Sequence, residues 1–197
     1  MRLKRFIVLV TLIGLVGAPA SAQLSEKQIA KEAKKEAKRL KKDGWMVPAG
    51  NLPLGSQLVQ AYKLQAEVND NMQPKYIFGQ AISGGSFYDA AKMQAVELAK
   101  AELAGNILTD LTTIVNVKLE NQQISADKAT SASEIIKEGE AVVSQKLVSP
   151  IPLVEIYRTL KDGTVEVQIR LAYDKEKGLK TGINALSTEF EKEGVDL

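Results

Sequence analysis

The sequence contains no cysteine and no histidine among its 197 residues. Without cysteine the chain has no disulfide and no thiol nucleophile. Without histidine it has no imidazole base, no Ser-His-Asp triad and almost no means of building a zinc site. Only 5% of the residues are aromatic, and Trp45 is the one tryptophan. Because the commonest catalytic groups are missing, we expect a non-enzymatic protein that has no catalytic residues, no metal site and no cofactor.

Long apolar runs are scarce, and the one at the amino terminus has the pattern of a secretory signal peptide. Basic residues within 2–5 precede an apolar run at 6–16, and an A-x-A cleavage site follows at 20–22. This run is shorter than the roughly 20 apolar residues that span a bilayer. We therefore expect residues 1–22 to be removed and the protein to be exported, periplasmic or secreted, with no transmembrane segment.

Basic residues are concentrated in one predicted helix at 25–43. A capping box of Ser25 and Gln28 begins this helix, and Gly44 follows its end. Its narrow apolar stripe consists of Ile29, Ala33, Ala37 and Leu40. Its basic residues, which are candidates for contact with an anionic surface, are Lys27, Lys31, Lys34, Lys35, Lys38, Arg39, Lys41 and Lys42. The chain after this helix is acidic, with 15 basic and 20 acidic residues.

Three interpretations of this basic arm stay open. It is a solvated helix that docks by its stripe, a peripheral contact with anionic lipid or lipopolysaccharide, or a segment that neutralises the acidic body in the same or a partner subunit. Nucleic acid is not an expected partner, because export separates the protein from it. The stripe is too thin for deep membrane insertion, so a surface contact would depend on charge.

The centre of the chain predicts a strand near 76–82, a glycine turn at 84–85 and an alanine-rich helix over 86–104 that Ser86 caps. Small side chains let a helix lie close to a sheet, so we expect the other elements to pack on this unit. The glycine turn is interpreted as a tight connection rather than an anion cradle, because it lacks the lysine and the spacing of a P-loop.

We expect this helix to bury Ala91, Ala95 and Leu98 against the sheet. Helical spacing of apolar residues continues to about residue 121 and allows a bend at 105–106. Because several residues in the later part are β-branched, a strand at 112–119 is the alternative.

The clearest local pattern is a hairpin. Strands near 153–160 and 165–173 flank an Asp-Gly dipeptide at 162–163, which is typical of a type I′ turn. Further helices are predicted over 54–69 and 126–147.

The two-residue loop of a type I′ turn fixes the pairing of the hairpin strands. It places Ile156 opposite Ile169, both of which we expect to be buried, and Glu155 opposite Arg170. Arg158 is the one charged residue on the apolar side, and we expect its stem to reach the edge of the sheet.

A last helix is predicted to begin at Asp174, and together these elements predict an α+β fold. A three-stranded sheet, made of one strand and the hairpin, is covered by the alanine-rich helix and further helices. The basic helix lies outside this unit or across it. The predicted organisation is a signal peptide at 1–22, an arm helix, linker and second helix at 23–73, and an α+β core domain at 74–197.

Two stretches carry a resemblance to a known family. Residues 89–104 read Asp-Ala-Ala-Lys-Met-Gln-Ala-Val-Glu-Leu-Ala-Lys-Ala-Glu-Leu-Ala, and residues 154–158 and 162–174 form the hairpin. Over roughly residues 74–174 the chain resembles the lipoprotein-20-type family of bacterial envelope proteins and is similar to the flagellar assembly protein T amino-terminal domain. The resemblance implies a small α+β domain in the envelope without catalytic residues, although this chain lacks the lipidation cysteine.

The sequence thus predicts an exported, non-enzymatic accessory or scaffold protein of the cell envelope, whose partner is an envelope protein or an anionic envelope surface. The alternative is a periplasmic binding module for a small ligand or glycan. A concave pocket walled by Tyr62, Tyr76 or Trp45 would favour that alternative. We expect Trp45 to fill the core beneath the basic arm instead.

Overall fold

The structure, a computed structural model, describes residues 25–196, and the predicted signal peptide lies outside them. Within residues 25–196 the elements follow in the order α1 (Glu26–Lys42), α2 (Leu54–Ala66), β1 (Tyr76–Gly85), α3 (Tyr88–Glu120), α4 (Ala126–Glu138), α5 (Glu140–Lys146), β2 (Ile151–Thr159), β3 (Val165–Asp174) and α6 (Lys175–Lys192). The three strands form one antiparallel sheet in the order β1-β3-β2. The α+β prediction is confirmed.

Both faces of the sheet are covered, because successive residues of a strand project to opposite sides. Val167, Ile169 and Leu171 of β3 belong to a main core shared with α3, α4, α5 and α6. Ile156 of β2 and Ala172 of β3 belong to a second core shared with α1 and α2. The sheet is therefore the middle of three layers, and the predicted burial of Ile156 and Ile169 is confirmed.

Helix α3 lies directly on β1 because the facing residues are small. Ala91, Ala95 and Ala99, one helical turn apart, are fully buried. A Cβ on Gly79 would lie 2.2 Å from the carbonyl oxygen of Ala99, and one on Gly85 would lie 3.1 Å from the Ala91 nitrogen. At Gly79 the two backbones approach so closely that only glycine fits, whereas at Gly85 the approach is tight.

Two predicted details of this helix are wrong. Leu98 is 46% exposed, because the contact stripe advances in steps of four and passes through Ala99 instead. Ser86 does not cap the helix. Strand β1 continues to Gly85, so α3 starts later than predicted. The N-cap position is Phe87, whose side chain makes no capping hydrogen bond.

Helix α3 continues through Gly105 to Glu120, so the helical interpretation of 112–119 is confirmed. Its threonines do not break it, because their hydroxyls donate to carbonyls one turn earlier. Thr109 and Thr112 each do so at 2.9 Å.

The other helices differ from the prediction mainly at their ends. The predicted helix at 126–147 is interrupted at Gly139, where a Cβ would lie 2.8 Å from Leu186 of α6. Helix α2 ends at Ala66 rather than near 69. Asp174 caps α6 as predicted, because its carboxylate accepts the N–H of Lys177 at 2.9 Å.

The hairpin turn differs from the predicted type I′ turn. That turn requires positive φ at both central residues, whereas in this loop only Gly163 has positive φ, at 85°. The Leu160 N–H donates to the Thr164 carbonyl, and the Gly163 N–H donates to the Leu160 carbonyl. This is the three-residue loop in which glycine follows a type I turn. The Asp162 carboxylate supports it by accepting the Thr164 N–H at 3.0 Å.

The longer loop shifts the strand pairing by one residue. Ile156 lies opposite Gln168 rather than Ile169, and Glu155 lies opposite Ile169 rather than Arg170. Because the shift is odd, Glu155 and Arg170 project from opposite faces, and the predicted ion pair between them does not form.

Gly79→Ala tests the close approach of α3 to β1. Because its Cβ would meet the backbone of α3, we expect this substitution to lower the free energy of unfolding by about 1–3 kcal/mol or more. Gly105→Ala is the matched control in α3, where a Cβ would meet nothing within 4 Å. It should be neutral or stabilise the protein by up to about 1 kcal/mol. Urea denaturation followed by circular dichroism measures both, and equal stabilities would contradict the proposed contact.

Candidate functional site: the cationic face of helix α1

Both ends of α1 are fixed by the residues that the sequence suggested. The Gln28 N–H donates to the Ser25 hydroxyl at 3.3 Å, and the Ser25 N–H donates back to the Gln28 side chain at 2.8 Å. At the other end Gly44 has φ of 84°, and the Trp45 N–H donates to the Leu40 carbonyl at 3.0 Å. This Schellman motif turns the chain so that the Trp45 ring enters the second core beside Leu40.

The residues of α1 separate cleanly into a buried and a cationic side. At about 100° per residue, the basic residues occupy one half of the helix surface, opposite the stripe that packs on the protein. The buried residues are Ile29, Ala33, Ala37 and Leu40. The cationic face, as we call the exposed basic set, consists of Lys27, Lys31, Lys34, Lys35, Lys38, Arg39, Lys41 and Lys42.

The cationic face makes no ion pair with the rest of residues 25–196. Arg39 lies 4.0 Å from Glu36 of the same helix, and none of the seven lysines of α1 lies within 4.0 Å of a carboxylate in that part of the chain. The acids of α1 contact the body instead: Glu26 pairs with Lys63 at 3.5 Å. Direct pairing of arm lysines with the acidic body is therefore not seen in the described residues.

A largely buried network holds α1 against α2 and the sheet. Arg170 Nη2 of β3 lies 3.1 Å from Glu36 Oε1, and the Tyr62 hydroxyl of α2 donates to Glu36 Oε2 at 2.8 Å. The side chains of Arg170 and Glu36 are 11% and 12% exposed. Burial and the hydrogen bond with Glu36 raise the pKa of Tyr62 to about 12. One acid of α1 thus connects two helices and the central strand.

Arg158 contacts the end of α1. The shifted register gives it charged neighbours on its own face, so it is not the single charge on an apolar side as predicted. Its guanidinium lies 4.6 Å from the centre of the Trp45 ring, and its Nε pairs with Glu166 at 2.7 Å. It also donates to the Asp43 carbonyl at 3.2 Å, at the negative end of the helix dipole. Trp45 is buried beneath it, as predicted.

An open groove of about 430 Å³ runs between α1 and α2. Its floor is formed by small side chains, including Ala33 and Ala37, and its rim by Lys34, Lys38 and Lys41. The aromatic residues considered for a ligand pocket do not line it. Such a wide groove would not enclose a small molecule, because ligand pockets bury most of the surface of their ligand.

The residues that orient this face are not among those predicted from the sequence. Glu36 has no predicted role there, and Arg170 is expected opposite Glu155. The available signal is the position of Glu36, since it lies between Ala33 and Ala37 at the border of the apolar stripe. The partner could not be found from sequence, because it belongs to a strand far along the chain.

Glu155 makes a separate network on the opposite face of the sheet. Its carboxylate accepts hydrogen bonds from the Tyr88 hydroxyl and from Lys92 Nζ, the latter at 2.7 Å. Burial alone would raise the pKa of Glu155, but these hydrogen bonds outweigh it and lower the pKa. The network joins α3 to β2 and is remote from the cationic face.

Comparisons of the chain with protein-family models, with curated proteins and with solved structures found no match. The resemblance to the lipoprotein-20-type family stays a prediction. In residues 25–196, no helix has the length and apolarity needed to cross a bilayer.

Arg170→Met tests whether the buried network holds α1 in place. It removes one partner of a buried ion pair and leaves the Glu36 charge uncompensated, so we expect a loss of about 3–5 kcal/mol in the free energy of unfolding. Arg39→Met is the control, because Arg39 approaches the same carboxylate oxygen but is 58% exposed. It should change stability by no more than about 0.5 kcal/mol. If urea denaturation gave similar losses of stability for Arg170→Met and Arg39→Met, the assigned role of Arg170 would be refuted.

Tyr62 gives the network a predicted pH dependence. Its pKa is about 12 in the folded protein, against 10.0 for an ordinary tyrosine such as that of the unfolded chain. Between these two pH values the folded state retains a proton that the unfolded state has lost. Stability contributed by Tyr62 is therefore complete below pH 10 and is lost as the pH rises towards 12. Tyr62→Phe should flatten the decline of unfolding free energy in this range, measured by urea denaturation at successive pH values. A decline as steep as in the wild type would contradict the assignment.

Proposed function

We propose that this protein is an exported, non-enzymatic accessory protein of the bacterial cell envelope, which associates with an anionic surface through the cationic face of α1. The observation that carries the proposal is the concentration of eight exposed basic residues on one side of α1, with none paired to the body within residues 25–196. The predicted signal peptide and the lack of cysteine and histidine support the location and the non-enzymatic role.

The mode of contact follows from what α1 already buries. Its apolar stripe is occupied by the second core, so the helix has no apolar face to insert between lipids. Only the charged side, about 25 Å long for 17 residues, is available. The association is therefore peripheral and electrostatic, and phosphate or carboxylate groups of anionic lipid or lipopolysaccharide are its chemical targets.

The charge distribution also orients the protein. The chain after α1 carries 20 acidic and 15 basic residues, whereas the residues of α1 with Asp43 include eight basic and four acidic ones. An anionic surface attracts the arm and repels the body. The sheet and α3 consequently face away from the surface, where they are accessible to other envelope proteins.

Neutralising the centre of the cationic face tests this function. The variant combines Lys31→Gln, Lys34→Gln, Lys38→Gln and Lys42→Gln, which keep helix propensity and leave the buried stripe intact. Since a basic residue near an anionic membrane contributes about 1 kcal/mol, we expect binding to phosphatidylglycerol-containing vesicles to fall by roughly 100-fold or more. Co-sedimentation measures binding, and neutral phosphatidylcholine vesicles should bind neither protein.

The matched control makes the same change of net charge elsewhere. It combines Lys137→Gln, Lys146→Gln, Lys161→Gln and Lys180→Gln, four exposed lysines outside α1. This variant should bind as the wild type does. Binding should also weaken with salt, because the Debye length shortens from about 8 Å at physiological ionic strength to about 3 Å at 1 M. The proposal would be overturned if both variants lost the same amount of vesicle binding, or if the wild type bound neutral and anionic vesicles equally.

A further inference from the structure

Strand β1 is an outer strand whose free edge is only partly capped. In an antiparallel pair, alternate residues direct their backbone groups away from the neighbouring strand. The Gln80 N–H donates to the Glu102 carboxylate at 2.7 Å, and the Phe78 carbonyl accepts from the Asn106 amide at 2.8 Å. The backbone groups of the even-numbered residues of β1 therefore point away from β3. Side chains of α3 bond one of these groups in Phe78 and one in Gln80.

From Ile82 onwards, no side chain of α3 bonds the outward backbone groups of β1. In residues 25–196, the outward N–H and C=O groups of Ile82 and Gly84 have no hydrogen-bond partner, and both residues are exposed. The opposite edge of the sheet is treated differently. There Tyr157 of β2 exchanges two backbone hydrogen bonds with Met46, at 2.8 and 2.9 Å, and the Glu155 N–H donates to the Gln57 side chain at 2.9 Å.

Apolar side chains flank the open part of the edge on both faces of the sheet. Ile82 is 53% exposed on the face of α1 and α2. On the face of α3, Leu98 lies one helical turn after Gln94 and one before Glu102. Gln94 also contacts β1, because it accepts a hydrogen bond from Ser83 at 2.6 Å. Leu98 thus occupies the position of a capping side chain but has no polar atom to offer. An exposed edge of this kind is normally blunted by charge, proline or a covering element.

We propose that residues 81–85 of β1 are a strand-addition site for one extended, uncharged segment of a partner protein. Such a segment would pair with the backbone groups of Ile82 and Gly84 and extend the sheet. Its side chains on one face would contact Ile82, and those on the other face would contact Leu98. This site goes beyond the proposed function and shares no residue with the cationic face.

The position of α3 decides between a partner segment and a second copy of this chain. Gly79 contacts the backbone of Ala99, so the axis of α3 lies over β1. Pairing β1 with the same strand of another copy, at a strand spacing of about 4.8 Å, would bring two α3 axes far closer than the 8–10 Å that packed helices require. A single strand without a covering helix meets no such obstacle.

Amide hydrogen exchange measured by NMR tests the site directly. The probe is an acetylated, amidated heptapeptide of alternating valine and threonine with a lysine added at each end. We expect it to slow exchange of the Ile82 and Gly84 amides at least about tenfold, which corresponds to 1.4 kcal/mol. The amides of Ala81, Ser83 and Gly85 face β3 and should change little. The same peptide with alternate nitrogens methylated cannot complete the pairing and should have no effect.

A variant tests the same hydrogen bonds from the protein side. Ile82→Pro removes an outward N–H without removing a hydrogen bond to β3, a position where an outer strand tolerates proline. It should abolish binding of the peptide, whereas Ile82→Thr, which keeps the N–H, should retain it. The methylated peptide tests the pairing on the wild-type protein, whatever the stability of the proline variant.

Three results would overturn the proposal. The first is unchanged exchange at Ile82 and Gly84 with the unmodified peptide at millimolar concentration. The second is equal slowing by the methylated peptide. The third is concentration-dependent dimerisation of the wild type in sedimentation equilibrium that Ile82→Pro abolishes, because this would assign the edge to a second copy.

Discussion

The architecture depends on the backbone-to-backbone contact between α3 and β1. Gly79 and Gly85 in the strand meet Ala91 and Ala99 in the helix, so no side chain separates the two elements. This contact places a 33-residue helix over one edge of a three-stranded sheet. The half of α3 beyond the sheet then offers a second apolar surface, on which α4, α5 and α6 pack to complete the main core.

The second face of the sheet is under a different constraint, because two of the four buried residues of α1 are alanine. Small side chains give shallow ridges, and shallow ridges do not by themselves fix the rotation of a helix about its axis. Glu36 supplies what the stripe lacks, since its two oxygens bond to Arg170 and Tyr62 on two other elements. A buried ion pair is weak support for net stability but can specify one arrangement. Here the pair supports the rotation, also favoured by the buried stripe, that turns the lysines of α1 towards solvent.

The sequence predicts several features that neighbouring residues determine, although the local prediction of a cap at Ser86 was wrong. Capping at Ser25 and Asp174 and the αL residue Gly44 are local and were confirmed. The hairpin register was wrong because an Asp-Gly dipeptide suits both the two- and three-residue loops, and the backbone of Asp162 decides between them. Matching apolar residues could not correct the error. Both faces of the sheet are covered, and the buried apolar residues of β2 and β3 lie mainly on opposite faces. The cationic face was predictable as a set of residues, but its orientation depends on Arg170, 134 positions from Glu36.

The two proposed surfaces use different physics, and the fold keeps them apart. The lysines of α1 act through charge, which salt screens at the distances typical of exposed groups. The edge at Ile82 and Gly84 acts through short backbone hydrogen bonds between apolar flanks, where screening has little effect. Since α1 lies on one face of the sheet and the open edge belongs to β1 beneath α3, occupation of one surface leaves the other accessible. With both proposals, ionic strength would release the protein from an anionic surface while it retains its partner.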